Sequence, residues 1–190
     1  NNTTMIKLKD ILLEIGEASA KPFTFKKISG PSAKEYKGND SDELLYEFTT
    51  DKKTKYFVSI EIDKRSYRSE YPRSIKSEIN FGAQTAGGGY SLDDTNLGEQ
   101  YRVMATIKDI VIEFINEWQE LWYIDSIEVS PIKSTDGGDD DTIDAVDSRR
   151  GKLYLAYIRK ALIPNLNKPY GVRVFNDYFL IQPHFDNPFE

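Results

Sequence analysis

A chain of 190 residues has room for one domain with a sizeable core, whereas two independent domains would each be marginal. Hydrophobic residues make up 39% of it, with 10 Phe, 12 Tyr and 2 Trp spread along its length, which excludes the aromatic-poor composition of disordered chains. A net charge of -6 speaks against a general grip on nucleic acid, and the absence of cysteine excludes disulfides, thiolate nucleophiles and thiolate zinc sites. The single histidine, His184, lies near the C-terminal end, so this chain alone cannot assemble a histidine-based triad or a multi-histidine metal site. No apolar run approaches eighteen residues, and Asn1 to Ile15 lacks the basic, apolar and small-residue succession of a signal peptide. The expectation is a soluble protein of a cell interior or of a particle.

Thr3 or Thr4 can cap a first helix with Leu8, Ile11, Leu12 and Ile15 in one narrow apolar row, ended by Gly16, which suits a lid on a sheet. Phe23 and Phe25 alternate with Thr24 and Lys26, so Pro22 to Ile28 reads as a half-buried strand. Ser29 to Asp42 reads as a loop. Leu44, Tyr46 and Phe48 alternate in a second strand and Tyr56, Val58, Ile60 and Ile62 in a third, with Asp51 to Thr54 short enough for a hairpin. Asp63 to Ser74 is a polar link with three Arg and two Tyr, and Ile75, Ile79 and Phe81 mark a fourth strand.

The segment Asn96 to Trp122 has the longest clean helical period. Val103, Ile107, Ile110, Val111, Phe114, Trp118 and Leu121 fall on one face, and Met104, Ile115 and Trp122 widen the stripe. Asn96 and Glu99 have the spacing of a capping box. Tyr123 to Ile132 reads as a strand with Ile127 and Val129 on one face, and Pro131 places it at an edge or marks its end. Ser134 to Asp147, with two Gly and six Asp, is an acidic solvated loop. A helix capped by Asp147 or Ser148 then runs to Ile163, with Tyr154, Tyr157, Ile158, Ala161 and Leu162 on one face and Pro164 as its stop. Gly171 to Gln182 closes the chain as a hairpin, Val172 and Val174 facing Phe179 and Ile181 across Asn176-Asp177, and 183–190 is an extended tail. This order predicts a single α+β domain over 1–190, a mostly antiparallel sheet of about six or seven strands with helices packed on it.

The element order resembles that of the GNAT acyltransferases: a strand meander, a cofactor-binding helix, another strand, a second helix and a closing strand pair. Leu153-Tyr154 is similar to that family's Leu-Tyr, and the resemblance implies Tyr154 as the acid that protonates the departing thiolate of coenzyme A. Gln84-Thr85-Ala86-Gly87-Gly88-Gly89 matches the letters of the family's pyrophosphate loop. In the family that loop opens directly into a helix, whereas here Tyr90 to Thr95 intervene and Asp93 and Asp94 bring negative charge to the place where an anion would dock. A second resemblance is to uncharacterised proteins of tailed bacteriophages. It rests on Gly98-Glu99 before Val103-Met104-Ala105-Thr106-Ile107, and on Ser148-Arg149 leading to Leu153-Tyr154 after an exposed loop.

Each candidate feature has a structural alternative. The glycine triplet can cradle a phosphate or simply connect two elements, and Tyr154 can be a general acid, with Glu78 or Glu61 as base, or a core aromatic. The acidic loop fails the EF-hand template, because Gly138 falls at a ligand position and Asp141 where the glycine belongs. Arg65, Tyr67, Arg68, Tyr71 and Arg73 interleave basic and aromatic side chains, a pattern that anchors a protein partner or stacks on single-stranded nucleic acid; the negative net charge favours the protein. Phe185 and Phe189, between prolines, suit an arm that docks on a neighbour. The chain is therefore expected to be a non-catalytic phage-type protein acting through protein contacts, a virion or assembly component in the particle or the host cytoplasm, with no cofactor, metal or membrane partner. An acetyl-CoA-dependent N-acyltransferase is the alternative, and a small inhibitor of a host enzyme a further one.

Overall fold

A computed structural model describes residues 20–38, 41–65, 73–84, 90–91, 99–130 and 149–183. Strands β1 (Phe25–Ser29), β2 (Asp42–Thr49), β3 (Lys55–Arg65), β4 (Ser74–Gln84), β5 (Tyr90–Ser91), β6 (Tyr123–Val129), β7 (Tyr170–Val174) and β8 (Phe179–Pro183) form one sheet. Its order is β1-β2-β3-β4-β6-β8-β7, with the short β5 paired to β4. Every pairing is antiparallel except β4 with β6. The fold is thus α+β on a mostly antiparallel sheet. The predicted first helix, the Asn96 cap, the acidic loop and the tail beyond Pro183 lie outside the described residues.

The period-two pattern works because register aligns it. Tyr46 stands opposite Val58, and Ile60 stands between Leu44 and Ile79, so each inward row meets another inward row. Leu44, Tyr46, Val58, Ile60, Ile62, Ile75 and Ile79 are buried as a result. Between β2 and β3 the chain turns through Lys53 at a φ of 67°, tied by Thr50 N donating to Thr54 O at 2.9 Å.

Helix α1 (Gln100–Trp118) crosses from β4 to β6 and lays its apolar stripe on this face, burying Val103, Ile107, Ile110, Val111, Phe114 and Trp118. It is shorter than the periodicity predicts. Leu121 does not extend the stripe and is 37% exposed, because the chain leaves the helix after Trp118 and a tight turn carries Trp122 back inward, its N–H donating to Trp118 O at 2.9 Å. Glu99 is the N-cap residue itself rather than the distal partner of a capping box, and its side chain caps nothing.

The stretch between β1 and β2, read from its composition as a plain loop, is a strap across the C-terminal half of α1. Ala33 N donates to Glu117 Oε1 at 3.0 Å, Trp122 Nε1 donates to Ala33 O at 2.8 Å, and the Tyr36 ring lies 5.4 Å from Trp118 and 5.0 Å from Trp122. At the other end of α1, Thr106 Oγ1 donates to Arg102 O at 2.7 Å and accepts the N–H of Phe23 at 2.8 Å, while the Arg102 guanidinium sits 3.9 Å from the centre of the Phe23 ring.

Strand β6 carries a bulge. Its pairing with β4 slips by one residue after Ile124, so Ile124 and Ile127 both face the core although they are three positions apart. It ends at Val129, short of the expected Ile132, and of the two readings of Pro131 the edge does not hold, because β6 lies between β4 and β8. Helix α2 (Arg149–Tyr157) continues as a π-helical turn over Ile158–Leu162 and a 3-10 turn over Ile163–Asn165 that contains Pro164. Tyr154, Tyr157, Ile158, Ala161 and Leu162 are buried from this segment. The final hairpin closes with Phe175 N donating to Tyr178 O at 3.0 Å; Phe179 and Ile181 are buried, whereas Val174, on the edge strand, is 46% exposed.

Gly30 begins the strap at a φ of +98°, a left-handed backbone, where an added Cβ would strike the Glu43 carbonyl and stand 2.8 Å from Leu44 Cα. Gly30→Ala is expected to destabilise the fold by about 3 kcal/mol or more. Gly38→Ala, also at positive φ but facing the Trp122 and Lys64 side chains, is expected to cost about 1–2 kcal/mol. Urea unfolding of the two variants measures the difference, and equal losses would contradict this account of the strap.

Candidate functional site

Strand β4 is shared. Along one edge it pairs with β3 from end to end, and along the other it pairs with β6 only from Ser74 to Ile79. Beyond Ile79 the parallel strands part, and the edge of β4 at Ala83 and Gln84 is taken by β5, which pairs with it antiparallel. The segment 85–89, which carries the glycine triplet, joins two strands that pair with each other, and it lies outside the described residues with Asp93 and Asp94.

At the fork between β4 and β6 lies a narrow cavity of about 40 Å³, closed by the two helices and lined by Ile79, Phe81, Met104, Val111, Val129 and Tyr154 among others. Tyr154 is buried with its ring 5.2 Å from that of Phe81. Tyr157 beside it donates its hydroxyl to Tyr101 O at 3.2 Å. The slot is almost wholly apolar and suits a thin hydrocarbon or thioether group better than a polar one. The proposed bases are not there. Alternation along β4 turns Glu78 to the opposite face from Ile79 and Phe81, and Glu61 pairs with Glu78 on that same face, so the sheet separates both carboxylates from Tyr154.

A carboxylate does stand at the positive end of α1. Glu99 is 7% exposed; its Oε1 accepts the backbone N–H of Lys52 at 3.4 Å, and its Oε2 is buried with no partner among the described residues. The helix start thus holds a fixed negative charge of its own where its free N–H groups would otherwise attract an external anion.

The face of the sheet away from the helices carries a feature no single stretch announces. Glu43 pairs with Glu61, Glu61 with Glu78 and Glu78 with Glu128, which sets four carboxylates abreast on β2, β3, β4 and β6. Partial burial, then Glu78, Glu43 and Asp63, hold the Glu61 carboxyl above its ordinary range, against the pull of Lys76. Partial burial and then Glu78 do the same for Glu128. Glu61 and Glu128 stand between apolar neighbours in the sequence, but the row of four exists only once the strands are in register. Among the described residues no group of three His, Asp or Glu side chains is arranged to hold a metal ion.

The segments that carry the sequence-predicted contact residues join the sheet at the end opposite the fork. Tyr67, Arg68, Tyr71, Phe185 and Phe189 lie outside the described residues, but the points where their segments join the sheet do not: Arg65 pairs with Ser74, Tyr123 N donates to Arg73 O at 2.7 Å, and Pro183 ends β8 opposite Tyr170. An open pocket of about 450 Å³ lies there, bordered by Arg73, Trp122, Tyr123 and Pro183. No family model matches the chain, and no curated protein or solved structure matches it either. No helix among the described residues is long and apolar enough to cross a membrane.

Because Glu61 and Glu128 hold their protons to higher pH when folded than when unfolded, their favourable contribution to stability is present below the ordinary carboxyl value of 4.5 and is lost as pH rises through the raised folded values. Glu47, held low by hydrogen bonds to Lys26 and Lys55, acts in the opposite sense and loses its contribution as pH falls. Glu78→Gln removes the neighbour that Glu61 and Glu128 share. It is expected to raise stability by about 0.5 kcal/mol near pH 7, with the gain fading as the pH approaches about 4. Urea unfolding at the two pH values reads both numbers.

Proposed function

We propose that this chain is a non-catalytic protein of the tailed-bacteriophage type, built on a GNAT-like scaffold and acting through contacts with other proteins as a component of a virion or of its assembly. The observation that carries this reading is the pairing of β5 with β4. The edge of β4 at Ala83 and Gln84, where an incoming extended chain would otherwise pair, is taken by the chain's own backbone. Glu99 supports the same reading, since its buried carboxylate opposes a pyrophosphate at the start of α1. The interleaved Arg and Tyr residues and the tail phenylalanines of the sequence supply the contact side chains in this reading.

A second reading, an acetyl-CoA-dependent N-acyltransferase, is favoured by the fork itself and by Tyr154 lining it. The acidic row on the open face favours a third, a small inhibitor that offers a negative surface to a host enzyme. Titration calorimetry with acetyl-CoA separates the first two. No heat of binding at millimolar ligand is expected; micromolar binding that disappears when Gly87 and Gly89 are replaced by bulky residues would overturn the non-catalytic reading. Quantitative mass spectrometry of purified particles is expected to find the chain at a fixed copy number. Its absence from particles, with capture by a single host enzyme from lysate, would replace the virion role by the inhibitor.

A further inference from the structure

The pocket beside the start of β6, between the end of α1 and the β7–β8 hairpin, combines features that point to one kind of ligand. It is large, about 450 Å³, and open to solvent. Two exposed cations border it, Arg73 and Lys168, and neither has a carboxylate partner among the described residues. Lys168 is held in place, its Nζ donating to the carbonyl of Gln119 at 3.2 Å. On a chain with a net charge of -6, two such cations at one pocket are a local reversal of sign.

The floor is polar at one point and apolar beside it. Gln119 is 7% exposed and lines the pocket; its Nε2 donates to Asn116 Oδ1 at 3.1 Å, but its Oε1 is buried with no partner. A buried amide oxygen left unpaired costs about 1–3 kcal/mol. Next to it are the Trp122 ring and Leu121, the latter 37% exposed where the end of α1 leaves it uncovered. Glu120 also borders the pocket and opposes a run of acidic groups.

We propose that this pocket binds an extended peptide segment of a partner protein that carries a single acidic side chain between apolar ones. The carboxylate meets Arg73 and Lys168, and a neighbouring apolar side chain covers Leu121 and Trp122. The inference rests on the protein-contact reading above and gives that contact an address and a chemistry.

The probes are three acetylated, amidated pentapeptides, Ala-Leu-Glu-Leu-Ala and its versions with Lys or Gln in the centre, titrated into the full chain at low salt. Amide NMR shifts report the site and the titration reports the affinity. The Glu peptide is expected to bind in the millimolar range or tighter, to shift the Gln119 side-chain amide, and to bind about tenfold more tightly than the Lys peptide. Arg73→Gln together with Lys168→Gln is expected to erase that preference without changing the melting temperature beyond the small effect of surface substitutions. Equal affinity for the Glu and Lys peptides, shifts elsewhere, or no binding by any peptide would overturn the assignment. Copy number of the double variant in particles keeps the two levels apart: normal incorporation with no peptide binding removes only the pocket, whereas peptide binding by a chain absent from particles keeps the pocket and removes the virion role.

Discussion

A strand has two edges, and β4 must serve three neighbours. It gives one edge wholly to β3 and divides the other between β6, which runs parallel to it, and β5, which turns back on it. A parallel partner requires a crossover, and α1 is that crossover. The fork, the cavity beneath it and the position of Tyr154 all follow from the point at which β6 lets go of β4. Between those two partners, Asn80, Phe81 and Gly82 have no strand partner on that edge among the described residues.

The crossover is secured at both ends by different chemistry. Its C-terminal half is clamped by aromatic packing of Trp118, Trp122 and Tyr36 and by two hydrogen bonds from the strap. Its N-terminal half is tied by Thr106 to the backbone before β1 and by Arg102 to the Phe23 ring and Asp51. The core is not fully satisfied: the Tyr46 hydroxyl and Trp118 Nε1 are buried without partners among the described residues, and burial, with Glu113 and Glu117 nearby, drives the Tyr46 phenol well above its ordinary range. Hydrophobic burial on this scale tolerates a few such groups.

Charge is arranged against the fold on one face and against the outside on another. Four abreast glutamates repel one another across the open face of the sheet, offset in part by Lys76 beside Asp63 and by Lys26 and Lys55 on Glu47. The far end of the sheet collects exposed cations instead.

Much of the architecture was legible in the chain. Alternation placed Tyr46, Val58, Ile60 and Ile79 inward, period 3.6 placed Ile107, Ile110 and Phe114 inward, and Asn176-Asp177 marked the last turn, because those patterns are local consequences of backbone geometry. Leu121 fitted the helical stripe and still came out exposed, since a helix ends where its packing ends. Alternation placed Ile127 with Val129, but the β6 bulge turned Ile124 inward as well, and the strap between β1 and β2 hid its role because Ala33 donates and accepts through its backbone, which carries no signal of residue type. The acidic row, the reach of β5 along β4, the burial of Glu99 and the pocket around Gln119 were decided only in three dimensions. Each depends on register or on contacts between residues far apart in the chain, and periodicity within one segment carries no information about which segment will lie beside it.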